Sequence, residues 1–279
     1  MFRPRQNSLS PADADAAYAA ARCVVLTHQR LVQFIRVGHT LGQIDTEVAR
    51  IFEDLRCKSC FRGYRVGRLP PFPSHACLSL NDCIVHGTAA YLTRPIQEGD
   101  LLKIDIGVWY HGWVGDAGWT YAVRSASPIA AKLMACGREC LRRGITAMQP
   151  GTPLLNFALA VQTHAEAECG FYCTHGLGGH GIGKKLHGPP FVANAVRGPR
   201  DSASNEWPEA KRLWQPGDLV AVEPMIAVGT REKRENHGQW PIYTADGSIS
   251  VHYEADVLIT DSGPRDLTEG MQDLPDVVG

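Results

Sequence analysis

Two aspartates, Asp105 and Asp116, each sit inside an apolar run, with Ile104, Ile106, Ala117 and Trp119 as neighbours. A chain reversal about Tyr110-His111, relaxed by Gly112, sets the two carboxylates directly opposite each other. Opposed side chains have Cβ atoms ~4.5–5.5 Å apart, where like charges repel, and an ionised acid left unpaired among apolar groups is expensive. Three arrangements relieve this: one acid protonated as in a catalytic dyad, a cation between the two, or an exposed sheet face where water serves each. These two residues alone do not choose.

More acids share the pattern. Glu223 precedes Pro224 in an apolar strand, and Glu254 follows Val251-His252-Tyr253 ahead of Val257-Leu258-Ile259. Buried glutamates are rare unless paired or bound to metal. The segment from Glu98 to Val108 also repeats in the segment from Pro216 to Ile226. A Gly-Asp turn opens each strand, and Asp100 and Asp105 recur 118 residues later as Asp218 and Glu223. Two half-domains facing each other bring Asp105 and Glu223 to one centre, although Gly-Asp before a strand is also ordinary turn chemistry.

Histidine supplies the other donor type. Gly176 to Gly181 fits GxGxxG formally, but a dinucleotide site needs a helix directly behind it, and Gly188-Pro189-Pro190 closes the stretch instead. Glycines around His180 suit a backbone packed close to a neighbour with the ring projecting into a site. His187 follows seven residues on, and His86 stands in Val85-His86-Gly87. Asp105, Asp116, His180, Glu223 and Glu254 together form a carboxylate-rich set with one imidazole and no thiolate. That set suits Mn, Fe(II), Co or Zn, and bridging carboxylates hold two ions ~3.5–4 Å apart.

The elements that must position these groups alternate helices with strands. Ser10-Pro11 opens a helix to about Phe34, and a second places Ile44, Val48, Ile51, Phe52 and Leu55 on one face. Strands are expected over 76–80, 101–109, 113–123, 219–228, 239–243 and 251–260, and helices over 128–143 and 153–169, an α+β pattern. The 279 residues are 44% hydrophobic with a net charge of −1, enough for a large core and giving no reason to expect nucleic acid or an anionic membrane as partner. No run approaches the ~18–20 apolar residues of a membrane span, and residues 1–7 lack the apolar core of a signal peptide. Nine cysteines without disulfide-scaffold spacing suit a reducing cytoplasm. Cys136 with Cys140 and Cys169 with Cys173 read as buried thiols. Cys57-Lys58-Ser59-Cys60 has no second pair at zinc-ribbon spacing, which argues against a structural metal there.

Taken in order, these motifs resemble type I methionine aminopeptidases, metallopeptidases of the pita-bread fold, from about residue 10 to 262. The matching stretches are Ser79-Leu80-Asn81-Asp82 leading to His86-Gly87, Asp105 with Asp116, Gly179 to Gly183 with His187, Glu223-Pro224-Met225, and Tyr253-Glu254. The resemblance implies a pseudo-twofold antiparallel sheet with helices on its outer face. It implies two divalent ions, with Asp105 chelating one, Asp116 and Glu254 bridging both, and His180 and Glu223 completing the second. A hydroxide between the ions would attack the methionine carbonyl, with Glu223 moving its proton and His86 and His187 contacting substrate. Cys77, Phe72 and Trp240 match lining positions of the methionine pocket.

The implied activity is removal of the initiator methionine from nascent proteins whose next residue is small, by a cytoplasmic monomer. The ribosome is a further candidate partner. The alternatives are an Xaa-Pro peptidase of the same fold, which normally carries an additional N-terminal domain, and a non-catalytic pita-bread binding protein. The expected organisation is a flexible N-terminus over 1–9, one domain over 10–265 with a polar insertion at about 194–209, and a C-terminal tail over 266–279. The sequence departs from the family pattern at Leu186, Gly188-Pro189, Ala255 and the 65–71 loop.

Overall fold

Short polar signals start the helices. In the computed structural model, which describes residues 9–196 and 207–279, the Ser10 hydroxyl accepts from the Asp13 amide and Pro11 takes the first position of α1 (Pro11–Phe34). Thr40 and Gln43 form a capping box for α2 (Leu41–Leu55), whose buried face is Leu41, Ile44, Val48, Ile51 and Phe52. Ser127 and Pro128 open α3 (Pro128–Ala147) in the same way as α1. The helix expected over 153–169 is shorter and changes pitch. α4 (Leu155–Gln162) runs into a π turn, Thr163–Glu168, and Gly170 in the left-handed region ends it.

The internal echo is a structural repeat. Strand β1 (Cys77–Leu80) pairs antiparallel with β2 (Leu101–Tyr110), which pairs with β3 (Trp113–Val123). In the second half, β4 (Gly178–Gly181) lies between β5 (Gly188–Ala193) and β6 (Leu219–Val222), and β6 pairs with β8 (Ala255–Thr260), a strand that follows β7 (Ser250–His252). The repeat extends to the turns that open β2 and β6. Gly99 and Gly217 are both left-handed. Arg94 grips Asp100 at 2.7 Å and Arg212 grips Asp218 at 2.6 Å. The Gln97 and Gln215 amides donate to the same two aspartates at 2.8 and 2.9 Å. Each carboxylate locks its turn, so both central strands begin in matched positions.

Cross-bonds join the halves. The Glu254 amide donates to Gly118 O at 2.8 Å, and the Asp116 amide donates to Asp256 at 2.9 Å. Buried Lys103 donates to Asn81 O at 2.6 Å and to Ser250 O at 3.1 Å. The main core packs α1 to α4 against these strands through Leu31, Ile44, Trp119, Tyr121, Phe157 and Tyr253 among others.

Three expectations change. The β2–β3 reversal is a two-residue turn of His111 and Gly112, both with positive φ, between paired Tyr110 and Trp113, which suits the right-handed twist of the strands. Its centre lies one residue beyond the expected one, so Asp105 faces Gly118 and Asp116 faces Gly107. The strand expected over 219–228 breaks at Glu223-Pro224, where proline has no N–H for the ladder. Its partner breaks at Tyr253-Glu254. The 266–279 segment folds back as more than a tail: Val277–Val278 pairs parallel with β3 at Ala122 and Val123, and Asp276 pairs with Arg138. Residues 1–8 of the expected flexible N-terminus and 197–206 of the expected insertion lie outside the described residues. At the insertion's edge, Asn194 donates to Glu223 O at 2.9 Å.

The glycines of β4 serve close strand approach. A Cβ on Gly179 would stand 2.2 Å from Ala221 O, and one on Gly181 2.1 Å from Pro189 O. Gly179→Ala is expected to lower stability by about 1–3 kcal/mol through this overpacking. Urea unfolding checks it, and an unchanged midpoint would show that β4 shifts freely.

Candidate metal centre

Five elements deliver one side-chain cluster. β2 carries Asp105, β3 carries Asp116 and β4 carries His180, while Glu223 follows β6 and Glu254 precedes β8. Both glutamates therefore sit where their strands leave one sheet for another, so their side chains turn inward between the halves. Asp105 and Asp116 are diagonal rather than opposed, and the glycine facing each keeps the space open. A Cβ on Gly118 would lie 3.3 Å from Glu254 Oε2, and one on Gly107 3.2 Å from Asp116 Oδ1.

The cluster divides into two donor groups that share one residue. Asp116, His180 and Glu254 present ligand atoms within 4.8 Å of one another, and so do Asp105, His252 and Glu254. His180 Nε2 stands 3.8 Å from Asp116 and 3.9 Å from Glu223. His252 Nε2 stands 3.3 Å from Glu223 and 3.6 Å from Glu254. His180 Nδ1 is 3.3 Å from Gly181 O, so a proton there leaves Nε2 with a free lone pair.

Burial governs the protonation of this cluster. Desolvation raises Asp105 to about 7 and Glu223 to about 8. Desolvation first, and the neighbouring carboxylates second, push Asp116 and Glu254 well above the usual range. Desolvation also lowers His180 to about 3 and His252 to about 4, so both rings stay neutral. Asp105 Oδ1, Asp116 Oδ1 and His252 Nε2 are buried with no hydrogen-bond partner. Acceptors left unsatisfied at one point, on acids that burial alone would neutralise, fit divalent cations.

An aromatic cavity of about 230 Å³ opens onto these donors. Phe61, Phe72 and Trp240 stack edge to face in series, with centroids 6.1 and 5.2 Å apart. Trp240 Nε1 donates to Pro70 O at 2.8 Å, tying the indole to the 61–73 loop. Tyr64, Val66, Cys77, His86, Leu186 and His187 complete the lining. His86 holds a left-handed backbone (φ 60°). Gly87 behind it packs against β1, where a Cβ would meet Leu78 O at 2.4 Å. His187 lies beside His180, and its Nδ1 is 2.6 Å from the Tyr64 hydroxyl.

The model of metallopeptidase family M24 matches residues 15–261. The chain belongs to family M24. Among M24 relatives, methionine aminopeptidase 1 of Bacillus subtilis is 32% identical over 93% of this chain and 97% of its own length. The methionine aminopeptidase of Aquifex aeolicus is 36% identical over 84% and 88%. The crystal structure of methionine aminopeptidase from Thermotoga maritima matches with a TM-score of 0.82 at 28% identity, covering 96% of this chain and 99% of that one. The M24 fold here is the expected pita-bread α+β architecture, and membership makes the chain a hydrolase that uses divalent metal.

All ten residues singled out from the sequence of this M24 member line one cavity. Sequence reasoning missed four others. His252, two residues before Glu254, completes a donor group. Asp256, two residues after Glu254, accepts from the Asp116 amide. The i±2 spacing around Glu254 was the available signal for both. Tyr64 and Phe61 come from the 65–71 region's flank, where no periodicity marks them. Tyr64 supplies an aromatic ring beside His187, with centroids 5.2 Å apart. Tyr64→Phe is expected to lower kcat about tenfold and leave KM near its normal value, since the cavity wall survives. A rise in KM alone would assign Tyr64 to binding.

Proposed function

We propose that this M24 enzyme removes the N-terminal methionine from nascent proteins whose second residue is small, using two divalent ions. The observation that carries this reading is the pair of donor groups sharing Glu254 at the floor of an aromatic cavity. Asp105 would hold one ion, Asp116 and Glu254 would serve both, and His180 and Glu223 would complete the second, with His252 within ligand distance of Asp105 and Glu254. When bound, such ions supply a nucleophile at neutral pH and polarise the scissile carbonyl. Mn, Fe(II), Co and Zn all suit the donors, because oxygen dominates and imidazole completes the set.

The chain's own residues do the rest. The thioether of methionine enters the cavity against Phe61, Phe72 and Trp240, since sulfur packs well on aromatic faces. Glu223, kept ionised once cations are bound, would take a proton on its carboxylate as attack begins and return it to the departing amine nitrogen. Desolvation raises the Tyr64 pKa, which keeps its hydroxyl protonated. Donation from that hydroxyl to His187 Nδ1 leaves Nε2–H to face the substrate. His86, lowered by burial to about 4, stays neutral on the other wall and donates without placing a charge there.

We infer a cytoplasmic monomer whose substrates are N-terminal Met peptides, with the ribosome as a candidate partner. Every cysteine is a free thiol, and no helix among the described residues is long and apolar enough to cross a membrane. Metal-loaded protein is expected to cleave Met-Ala-Ser and leave Xaa-Pro peptides intact, read by chromatography of the released amino acid. Cleavage confined to Xaa-Pro bonds would overturn the assignment. Inactivity on every Met peptide would favour a binding protein.

A further inference from the structure

A second set of metal-type donors lies outside the aromatic cavity. Cys136 and Cys140 stand one turn apart on α3, both buried, with sulfurs 3.9 Å from each other. His164 and Cys169 come from the π turn that follows α4. His164 Nε2 lies 3.5 Å from Cys169 Sγ. Ligand atoms of Cys136, Cys140 and His164 fall within 4.8 Å of one another.

The change of helix pitch creates this cluster. In an α-helix, residues five apart lie about 140° round the axis, which would separate His164 from Cys169. Here the Cys169 amide bonds to His164 O at 3.0 Å, an i to i+5 closure that stacks the two on one face. Single π turns inside helices often mark functional sites.

We propose that Cys136, Cys140 and His164, with Cys169 beside His164 closing in as the fourth ligand, form a structural zinc site, separate from the catalytic centre, that fastens α3 to the π turn. Tetrahedral zinc with Zn–S bonds of about 2.3 Å has ligand-to-ligand edges of about 3.8 Å. The 3.9 Å sulfur pair and the 3.5 Å sulfur–nitrogen pair already have that spacing. His164 Nδ1 bonds to Glu168 at 2.9 Å, the carboxylate–histidine arrangement that orients a metal-ligating imidazole. Arg143 in turn holds Glu168 at 2.7 Å, and Lys132 donates to Cys169 O at 3.1 Å. These cations offset the net negative charge of a three-thiolate site. On binding, Zn²⁺ displaces three thiol protons to solvent and takes the lone pair of neutral His164 Nε2. The competing account is thiols packed as small apolar groups, with Cys140 donating weakly to Val161 O at 3.5 Å.

Cobalt tells the accounts apart, because Co²⁺ gives an intense near-ultraviolet charge-transfer band with thiolates and none with carboxylates or imidazole. Titrating the wild-type protein with Co²⁺ is expected to raise that band to saturation at one equivalent of thiolate-bound metal. Zinc should then bleach it. Cys136→Ser with Cys140→Ser should remove the band and one equivalent of bound zinc by elemental analysis. Turnover of Met-Ala-Ser by that variant should stay within about twofold. A chain carrying Asp116→Ala and Glu254→Ala should keep both band and zinc, which separates this site from the catalytic one. No thiolate band in the wild-type protein would overturn the proposal without any variant needing to fold. A band that survived the double serine substitution would overturn it equally.

Discussion

Glu254→Ala is expected to abolish turnover of Met-Ala-Ser and to lower the metal bound at the carboxylate centre by at least one ion per chain. Glu254 is the residue common to both donor groups, so its loss would remove a ligand from each of the two proposed ion positions. Its amide bond to Gly118 O belongs to the backbone and survives the change, so the fold should persist by circular dichroism. The fall in kcat should exceed the roughly 10²–10³ that follows loss of a single oxyanion donor. Glu254→Gln keeps the volume but not the charge, and should retain more metal than alanine while recovering little activity. Near-normal turnover in the alanine variant would remove Glu254 from the centre.

Stripping the ions should leave a folded protein whose stability falls as pH rises from 6.5 to 8.5. Burial raises Asp105 to about 7 and Glu223 to about 8, with Asp116 and Glu254 higher still. A carboxyl whose folded pKa exceeds its unfolded value contributes stability below the unfolded value and loses it as pH climbs through the folded one. The histidines act oppositely. His180 and His252 are lowered to about 3 and 4 from an ordinary 6.5, so their penalty appears only as pH falls below 6.5. Above that pH the carboxyl groups and the buried thiols, also raised, lower stability together. Lys103, lowered by burial to about 8, opposes them only near the top of the range. Bound cations keep the carboxylates ionised, so the Tm of loaded protein should stay nearly flat, and the gap between the two forms should widen. Metal binding at pH 7 should also release protons, measurable by calorimetry in two buffers. A gap that stayed constant over this range would show that the acids are already ionised without metal.

The sequence made the strands and helices legible where local rules act alone. Ser10-Pro11 capped a helix, Gly99-Asp100 and Gly217-Asp218 opened matched strands, and the acids at Asp105 and Glu223 held the repeat's spacing. Local pattern failed where a single turn sets register. Placing the reversal one residue early made Asp105 and Asp116 direct opposites, whereas His111 and Gly112 form the turn and put a glycine against each acid. The proline after Glu223 signalled a strand break that apolar composition concealed.

The sequence by itself determined the donor chemistry: carboxylates and histidines embedded in apolar strands, a set that suits divalent cations. Those properties follow from residue type and local order. The tertiary structure decided the partition. It placed Asp116, His180 and Glu254, and likewise Asp105, His252 and Glu254, within 4.8 Å of one another, and it brought Tyr64 to His187 from a loop without periodicity. It also brought Cys136 and Cys140, which read as buried thiols, to His164 and Cys169. Contacts between distant segments depend on packing and on one change of helix pitch, and neither leaves a mark in linear spacing.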